Sequence, residues 1–269
     1  MNIRTLINSV PATSIDVNDR GLHYGDGLFE TMAVIHGAIR RLDLHLDRLA
    51  YGCARLGIPC PPRALLTNEF SSLAQSAERA ILKLILTRGP GMRGYALRDV
   101  ANPTRILTLH DWPDYPSVWS ERGVAVHTCT TTLAQQPLLA GIKHLNRLEH
   151  ILARREWTDD GIAEGLLYDT DGNLVGGTKT NVFLVTGTTL TTPLLTHCGV
   201  AGTTRATVLT LARGIGLRPT EAHLTQDDLT TADEIFLTNA VIGIWPVREL
   251  ATRRMPAGPV TRRLQELLR

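Results

Sequence analysis

Lys143 is the residue of this chain whose position best suits covalent chemistry. It lies in the segment 138–150 (LLAGIKHLNRLEH), after a short apolar stretch and directly before a pattern typical of an amphipathic helix. A lysine in such a place can extend its ammonium group to the surface. If it is buried instead, the pKa of its amine falls and the amine becomes a nucleophile for a carbonyl group. That second state is the one that a Schiff base with an aldehyde requires.

Three further segments carry residue types that bind anions or allow close approach of a ligand. Residues 19–31 (DRGLHYGDGLFET) contain three glycines, which are typical of a turn but also let backbone approach a ligand. Arg48 in HLDRL (45–49) is either a surface charge or a bidentate clamp on phosphate. In GVAGTTRATVL (199–209), Thr203 and Thr204 open a predicted helix, where they form either an ordinary cap or an anion site.

The order of these four segments resembles the class IV aminotransferases, the fold-type-IV enzymes that use pyridoxal 5′-phosphate. The resemblance covers nearly the whole chain, from DRGLHYGDGLFET to FLTNAVIGIWPV at 236–247. The family includes branched-chain and D-amino-acid aminotransferases, and the resemblance is strongest to its 4-amino-4-deoxychorismate lyases. The segments that favour the lyases are TRGPGMRGY (87–95), TRIL (104–107) and GIKHLNRLE (141–149).

The resemblance implies a role for each matching residue. Lys143 would hold pyridoxal 5′-phosphate as a Schiff base and then transfer protons. The implied phosphate-binding and cofactor-lining residues are Arg48, Gly202, Thr203, Thr204, Thr238 and Asn239. The implied substrate-binding residues are Thr31, Arg88, Arg93 and Tyr95, of which the last three are candidates for holding a dianion.

The reaction that the resemblance implies is a β-elimination. The amino group of 4-amino-4-deoxychorismate would displace Lys143, and the freed lysine would take the proton from the carbon that bears nitrogen. Pyruvate would then leave, and the ring would become aromatic as 4-aminobenzoate, a folate precursor. Two alternatives stay open: a D- or branched-chain amino-acid aminotransferase of the same fold, and a non-catalytic binding or scaffold protein. The resemblance also implies a homodimer with the site near its interface.

Position 176 departs from the family pattern. The family has a segment resembling V-x-E-G-x-x-S-N-x-F, whose glutamate bonds the pyridine nitrogen of the cofactor. The corresponding stretch is NLVGGTKTNVF (173–183), which puts Gly176 at the cofactor-binding glutamate position. Three interpretations follow: a lyase that works with a less protonated ring, an impaired variant, and a relative with changed chemistry. We expect Gly176→Glu to raise the pKa of the pyridine nitrogen and to strengthen cofactor retention.

Hydrophobic periodicity predicts the elements that position these residues. Apolar residues at 3–4-residue spacing predict helices over 43–56, 145–157 and 203–214, and a short helix begins near Thr225. In the first helix, His45 and Arg48 lie away from the centre of the apolar face. In the second, Leu148, Ile151 and Leu152 belong to the apolar stripe. Aliphatic and β-branched runs predict strands over 28–35, 81–87, 105–110, 124–129, 166–168, 181–186 and 234–238.

These elements predict an α+β chain of two domains. The stretch 111–120 (DWPDYPSVWS) has two prolines and no periodicity, so we predict a linker at 113–120. A smaller N-terminal α+β domain would cover 1–112, and a larger C-terminal domain that binds the cofactor would cover 121–269. The resemblance implies a D-amino-acid aminotransferase-like fold, with an N-terminal α/β sandwich and a C-terminal β-barrel-like domain.

Composition argues against several other classes of protein. A formal net charge of +2 with scattered Lys and Arg gives no sign of nucleic-acid binding. No apolar run approaches the ~20 residues that span a bilayer, and no signal-peptide pattern is present, so we expect a cytoplasmic protein without membrane contact. The four cysteines form no CxxC pair and HExxH is absent, so the sequence predicts reduced cysteines and no metal site.

Overall fold

The computed structural model describes residues 4–97 and 102–268, and the chain divides into two compact units. Unit 1 comprises Met1–Pro113 and the short segment Ile142–Asn146. Unit 2 comprises Asp114–Gly141 and Arg147–Arg269. The two-domain α+β class that the sequence predicts is confirmed, although the chain returns briefly to unit 1 around Lys143.

The predicted linker at 113–120 is a packed part of unit 2 instead. Its second half lies in a helix, Ser117–Arg122. Tyr115 and Trp119 each pack edge-on against Trp245, with ring centroids 4.9 and 5.0 Å away. The absence of periodicity in this stretch therefore reflects a compact aromatic cluster and a helix of fewer than two turns.

The helices of unit 1 are α1 (Arg20–Tyr24), α2 (Leu42–Leu56) and α3 (Arg63–Ala74). Its strands are β1 (Arg4–Ile7), β2 (Val10–Pro11), β3 (Gly27–Ile35), β4 (Ala38–Ile39), β5 (Arg79–Thr87) and β6 (Thr104–Asp111). They form one antiparallel sheet in the order β2-β1-β6-β5-β3-β4. The three strands predicted in this unit are confirmed, with one or two more residues at their ends.

The core of unit 1 follows from the alternation of side chains along its strands. Leu82, Leu84 and Leu86 of β5 are fully buried on the sheet face that α2 covers. Their cross-strand partners on β3 include Glu30, opposite Leu84, so this carboxylate points into the same layer. The sequence of β3 thus places a charged group inside the core, where it needs a partner of opposite charge.

The helices of unit 2 are α4 (Ser117–Arg122), α5 (Leu148–Arg154), α6 (Thr203–Gly214), α7 (Gln226–Thr231) and α8 (Pro259–Leu268). Its strands are β7 (Val124–Leu133), β8 (Ile162–Asp169), β9 (Leu174–Gly177), β10 (Asn181–Thr186), β11 (Thr189–Pro193), β12 (Arg218–Ala222), β13 (Glu234–Asn239), β14 (Gly243–Leu250) and β15 (Arg253–Arg254). The predicted α6 and the helix that follows Thr225 are confirmed.

The sheet of unit 2 curls back on itself. Its order is β12-β11-β10-β13-β14-β7-β8-β9, with β15 paired to β14. If the sheet were flat, the edge strand β9 would lie about 24 Å from β10, five strand spacings away. Gly177 at the end of β9 and Asn181 at the start of β10 can be at most about 14 Å apart along the chain. The connection therefore forces the curl, in agreement with the predicted barrel-like domain.

Helix α5 is shorter than predicted, and its apolar stripe is exposed. The helix covers Leu148–Arg154 instead of 145–157. Leu148, Ile151 and Leu152 are each more than half exposed, whereas Ala153 is buried against Trp157. The apolar residues do recur at helical spacing, but the face that Leu148, Ile151 and Leu152 form is exposed and does not pack against the rest of unit 2. Within the described ranges, no helix combines the length and the apolar character needed to cross a membrane.

Candidate active site

Lys143 lies in the segment Ile142–Asn146, which runs beside β3 in unit 1. The N–H of Phe29 donates to the carbonyl of Lys143 (2.9 Å), and the N–H of Leu145 donates to the carbonyl of Gly27 (3.0 Å). The Lys143 Nζ lies 4.1 Å from the centroid of the Phe29 ring, and its side chain is half-buried. Strand-like hydrogen bonds therefore fix the backbone on both sides of Lys143, and helix α5 begins only five residues later.

Thr31 lies on the same face of β3 as Phe29, because side chains two residues apart along a strand point the same way. The Phe29 ring contacts the Lys143 amine, so Thr31 lies on the face of β3 that is near this amine. Lys83 is directly opposite Thr31 on β5, and its Nζ is 5.8 Å from the Phe29 centroid. Thr31 remains a candidate substrate-binding residue. Lys83 lies near the same ring as Lys143, so it can serve as a control for the reactivity of Lys143.

Arg48 is bound to a buried carboxylate that the sequence did not single out. Arg48 Nε donates to Glu30 Oε1 (2.8 Å), Arg48 Nη2 donates to Glu30 Oε2 (2.5 Å), and His45 Nδ1 lies 2.6 Å from the same Oε2. Glu30 and His45 are buried, and 11% of the Arg48 side chain is exposed. The sequence placed His45 and Arg48 away from the centre of the apolar face of α2, but His45 is buried and only 11% of the Arg48 side chain is exposed. A charged partner on β3 makes these positions favourable for polar side chains.

The ion pair between Glu30 and Arg48 keeps the carboxylate ionised. Burial alone would raise the pKa of Glu30, but the charge of Arg48 and the hydrogen bonds from Arg48 and His45 lower it below its ordinary value. Burial also lowers the pKa of His45, which favours the neutral imidazole. Two N–H groups of Arg48 bond the same carboxylate, so the plane of the guanidinium is oriented before any ligand arrives.

Arg88 is occupied by structural contacts in unit 1. Its Nε and Nη2 donate to Asp26 (2.8 and 3.0 Å), and further bonds reach the carbonyls of Gly57 and Leu56. Asp26 also accepts from Arg20 Nε at 2.9 Å. Burial acts to raise the pKa of Asp26, yet the two arginines lower it. Arg88 therefore joins the Asp26 loop to the end of α2, and these contacts give no support to its predicted substrate-binding role, which stays a prediction.

Arg93 and Tyr95 lie on an exposed loop after β5. The Gly94 N–H donates to the Tyr24 hydroxyl (3.1 Å), and Arg20 donates to the Gly94 carbonyl (2.9 Å). Tyr95 is 83% exposed and meets the Tyr24 ring edge-on at 5.4 Å. These contacts anchor the base of the loop, so Arg93 and Tyr95 remain candidates for binding an anionic substrate.

In unit 2, the N-terminus of α6 has the properties of a phosphate site. Gly202 is the N-cap and offers no side chain to the N–H groups of the first turn. Thr203 and Thr204 are buried, and the Thr204 hydroxyl has no hydrogen-bond partner among the described residues. The helix dipole adds partial positive charge at this end. An anion would satisfy the N–H groups and the Thr204 hydroxyl together.

Thr238 lies beside Asn181, and Asn181 lies close to the N-terminus of α6. Asn181 on β10 pairs with Thr238 on β13, so their side chains share a face of the sheet. Asn181 Nδ2 donates to the Val200 carbonyl (2.8 Å), and a Cβ added to Gly202 would lie 2.1 Å from Asn181 Oδ1. The Thr238 hydroxyl is fully buried and has no hydrogen-bond partner within the described ranges. Buried hydroxyls without partners are costly, so Thr204 and Thr238 fit a site that a ligand completes.

Asn239 shapes a turn with both ends of its amide. Its Oδ1 accepts from the N–H groups of Val241 and Ile242 (2.9 Å each), and its Nδ2 donates to the Lys179 carbonyl at 3.2 Å. This arrangement supports a role in holding the connection between β13 and β14. It gives no support for the direct contact with the cofactor that the resemblance implies for Asn239.

Gly176 lies in β9, where the turn into β10 folds back over it. The Gly177 N–H donates to the Thr180 carbonyl (2.8 Å), and a Cβ on Gly176 would lie 2.8 Å from that same oxygen. Because the obstructing atom belongs to the backbone, any side chain at position 176 requires the turn to move. The expected benefit of Gly176→Glu for the cofactor is therefore opposed by a structural cost that the sequence did not reveal.

The buried carboxylate of Glu164 lies beside this turn but does not replace a glutamate at position 176. Glu164 accepts from the N–H groups of Gly165 (3.0 Å), Thr178 (3.0 Å) and Lys179 (3.2 Å), and from the Thr178 hydroxyl. Its Cδ would lie 2.9 Å from a Cβ on Gly177. Neighbouring residues of a strand point to opposite faces, so Glu164 lies on the face away from Gly176.

We expect Gly176→Ala to destabilise unit 2 by about 1–3 kcal/mol, the usual cost of an added group that moves packed neighbours. Urea unfolding would measure the loss. Gly214→Ala is the matched control, because a Cβ at that helical position meets nothing within 4 Å. The control should be neutral or slightly stabilising. Equal stability of the two variants would contradict the close approach of Thr180 to Gly176.

The family model for amino-transferase class IV matches residues 27–250 of this chain. The chain is 33% identical to aminodeoxychorismate lyase from Vibrio harveyi over 263 residues, which cover 96% of this chain and 97% of the relative. It is also 33% identical to a putative branched-chain-amino-acid aminotransferase from Methanocaldococcus jannaschii, over 94% of this chain and 89% of the relative. Identity to these two relatives does not separate a lyase from an aminotransferase.

The crystal structure of 4-amino-4-deoxychorismate lyase from Pseudomonas aeruginosa is similar to this chain over its full length. The two chains are 47% identical, the TM-score is 0.94, and the match covers 98% of each. This likeness extends to the whole fold described above, including both units.

Proposed function

The chain belongs to the class IV aminotransferase family, and within that family we propose that it is an aminodeoxychorismate lyase. The reaction would release pyruvate from 4-amino-4-deoxychorismate and leave 4-aminobenzoate for folate biosynthesis. The observation that supports this most is the 47% identity, over 98% of both chains, to the lyase from Pseudomonas aeruginosa. A cytoplasmic location is part of the proposal, and four free cysteines fit a reducing compartment.

The cofactor is pyridoxal 5′-phosphate, and the residues of unit 2 fit its phosphate group. Gly202, Thr203 and Thr204 at the start of α6 would bind phosphate through N–H groups and hydroxyls. Thr238 would add a further hydroxyl, since its Oγ1 has no partner in the described part of the chain. Arg48 is assigned to the phosphate and Lys143 to the aldehyde on the family pattern. The orientation of Arg48 by Glu30 supports the first of these two roles.

Lys143 is the residue that moves protons in the proposed reaction. When bound, the cofactor withdraws electrons from the substrate carbon that carries nitrogen. The Lys143 Nζ then takes the proton from that carbon as a general base. The C–O bond to the enolpyruvyl group breaks as the ring becomes aromatic, and the leaving enolate takes up one proton at its methylene carbon to become pyruvate. Arg93 and Tyr95 would bind the carboxylates of the substrate.

An aminotransferase of the same fold is the second candidate function. Gly176 favours the lyase over it, because aromatisation drives the elimination and less charge must be stored in the cofactor ring. A transaminase must stabilise a carbanion and reprotonate it elsewhere, so it depends more on a carboxylate beside the pyridine nitrogen. The closed turn over Gly176 leaves no room for such a group at this position.

The proposal includes a homodimer. The large apolar side chains of unit 2 that are more than half exposed among the described residues are Leu138, Leu148, Ile151 and Leu152, with exposures between 52% and 75%. Three of them share one face of α5, and a contiguous apolar face of this kind is typical of an interface. Sedimentation equilibrium is expected to give twice the chain mass of 29.5 kDa. A species of single mass at micromolar concentration would contradict this part of the proposal.

The activity test separates the two enzyme candidates directly. Purified protein loaded with pyridoxal phosphate is incubated with 4-amino-4-deoxychorismate, and pyruvate and 4-aminobenzoate are measured. Equal amounts of both products are expected. In parallel, amino transfer from D-alanine or branched-chain amino acids to 2-oxoglutarate is measured. If amino transfer were found without pyruvate release from 4-amino-4-deoxychorismate, the lyase proposal would be wrong and the aminotransferase would be the supported function.

Removal of the hydroxyls of Thr204 and Thr238, which have no partner among the described residues, should lower the affinity for the cofactor and raise the stability of the apoprotein. We expect Thr204→Val and Thr238→Val each to reduce the affinity for pyridoxal phosphate about tenfold, the value of a hydrogen bond to a charged group. The apoprotein should become more stable by up to about 1 kcal/mol, because a methyl group replaces a buried hydroxyl without a partner. Fluorescence titration and urea unfolding measure the two effects.

Thr210→Val is the matched control for these two variants. Thr210 lies on the same helix, and its hydroxyl donates to the Ala206 carbonyl in an exposed position. Cofactor affinity should be unchanged in this control. If all three variants had the same affinity, the α6 terminus would not be the phosphate site.

A further inference from the structure

Three potential metal ligands meet in unit 2, although the sequence predicted no metal site. A ring nitrogen of His127, the Sγ of Cys129 and a carboxylate oxygen of Glu156 all lie within 4.8 Å of one another. His127 and Cys129 are two residues apart on β7, so their side chains point to the same face. Glu156 follows α5 and is 27 positions further along the chain, which is why no local motif announces the cluster.

We propose that His127, Cys129 and Glu156 form a tetrahedral zinc site, with water as the fourth ligand, that fastens the end of α5 to β7. Imidazole, thiolate and carboxylate are the three ligand types that zinc accepts in proteins. One thiolate and one carboxylate balance the charge of Zn²⁺, so the occupied site would be neutral. Zinc binding displaces the proton of the Cys129 thiol to solvent and leaves no other bond broken.

The separation between His127 and Glu156 already matches such a site. His127 Nε2 and Glu156 Oε2 are 3.2 Å apart. Two ligands of a tetrahedral zinc ion, with bond lengths near 2.1 Å, are about 3.4 Å apart. A metal ion could therefore take the place of the shared proton with almost no movement of these two groups. A hydrogen-bonded pair of histidine and glutamate is the simpler alternative, but it makes no use of the thiol next to it.

The surrounding residues hold the ligands in place. The N–H groups of Thr130 and Thr131 donate to the two oxygens of Glu156 (2.7 and 2.8 Å). They are available because the pairing of β7 with β8 is interrupted between Thr128 and Thr132. Hydrogen bonds of this kind orient a ligating carboxylate and typically raise metal affinity 10- to 100-fold. The carboxylate of Glu156 would therefore be oriented before the ion arrives.

Access and space are also suitable. The side chains of His127 and Glu156 are 30% and 16% exposed, so an ion can enter from solvent, whereas Cys129 is buried behind them. Gly165 leaves room for the thiol, because a Cβ there would lie 2.5 Å from the Cys129 Sγ. The Trp157 ring packs on the His127 ring at 5.4 Å and covers one side. The site therefore combines one buried ligand, Cys129, with two partly exposed ligands, His127 and Glu156.

The test uses the full chain with its cofactor, treated with a chelator and then titrated with Co²⁺. One equivalent is expected to give the intense bands of tetrahedral cobalt in the red region, where pyridoxal phosphate does not absorb, and Zn²⁺ should displace it. His127→Gln and Cys129→Ala should each weaken binding at least about 100-fold. His110→Gln, at an exposed histidine of unit 1, is the matched control and should bind as the unsubstituted chain does.

Two results would overturn the zinc site. The first is absence of one-to-one binding by the unsubstituted chain, or a weak spectrum of six-coordinate cobalt. The second is unchanged affinity in His127→Gln, which replaces a partly exposed side chain and does not threaten folding. Neither result bears on the lyase proposal, because pyruvate release is measured separately on the chelator-treated protein.

Discussion

Replacing Lys143 with alanine is expected to abolish covalent attachment of pyridoxal phosphate and to slow pyruvate release by about 10²- to 10⁴-fold, the usual contribution of a general acid–base group. The reason is that the Lys143 amine lies 4.1 Å from the Phe29 ring centroid, nearer than the Lys83 amine at 5.8 Å, and that hydrogen bonds to β3 fix the backbone on both sides of Lys143. The residues of unit 2 that we propose to bind the phosphate are untouched by this change. The variant should therefore still bind the cofactor, but without a covalent bond.

The chain offers matched controls for this prediction, because it has only three lysines: Lys83, Lys143 and Lys179. Lys83 lies over the same Phe29 ring, and Lys179 lies 5.3 Å from the ring of Tyr115. Borohydride treatment followed by peptide mass spectrometry should place the cofactor on Lys143 alone. Lys83→Ala and Lys179→Ala should keep the label. Label on either of these two lysines would refute the assignment of Lys143.

Glu30→Gln is expected to destabilise the protein by on the order of 3–5 kcal/mol, because it leaves Arg48 without its buried counter-charge. The variant should also bind pyridoxal phosphate more weakly, since the guanidinium loses the bonds that orient it. Urea unfolding and cofactor titration measure the two effects. Asp47→Asn is the matched control, because it removes a carboxylate of α2 from an exposed contact with Arg63 of α3. Surface pairs contribute little, so the control should resemble the unsubstituted chain.

The loss caused by Glu30→Gln should depend on pH. The pKa of Glu30 is lower in the folded protein than its ordinary value, so its ion pair stabilises the fold at pH values above that ordinary value. This stabilisation is lost as the pH falls through the lowered pKa of the folded state. The difference between the two proteins should therefore be full near neutral pH and should shrink in acid. A difference that stayed constant down to the acid transition would show that Glu30 is not ionised in the fold.

Local pattern was sufficient for the elements that bury one continuous face. Helix α2 and strand β5 repeat apolar residues at the spacing of their own geometry, and both formed where the sequence predicted. The start of α6, which we propose as the phosphate site, was also recognisable, because Gly202, Thr203 and Thr204 are neighbours in the chain. The family pattern added the proposed role of Lys143, because its local surroundings alone fit either a surface lysine or a buried reactive one.

Partners that are distant in the chain were decided only by the tertiary structure. Glu30 and Arg48 belong to different elements, so neither helix nor strand periodicity could show that one neutralises the other. The same holds for Arg88, whose donors are taken by Asp26 and by the end of α2.

The sequence by itself determined the family, the order of the elements and the identity of the candidate lysine, since these depend on residue type and short-range spacing. The tertiary structure decided which of the other polar side chains are available for chemistry. Internal hydrogen bonds take up the donors of Arg88 and the amide of Asn239, whereas the hydroxyls of Thr204 and Thr238 have no partner among the residues that the structure describes. A backbone turn also closes over Gly176. Hydrogen bonding and steric exclusion act between groups that meet only after folding, and a linear pattern does not contain those distances.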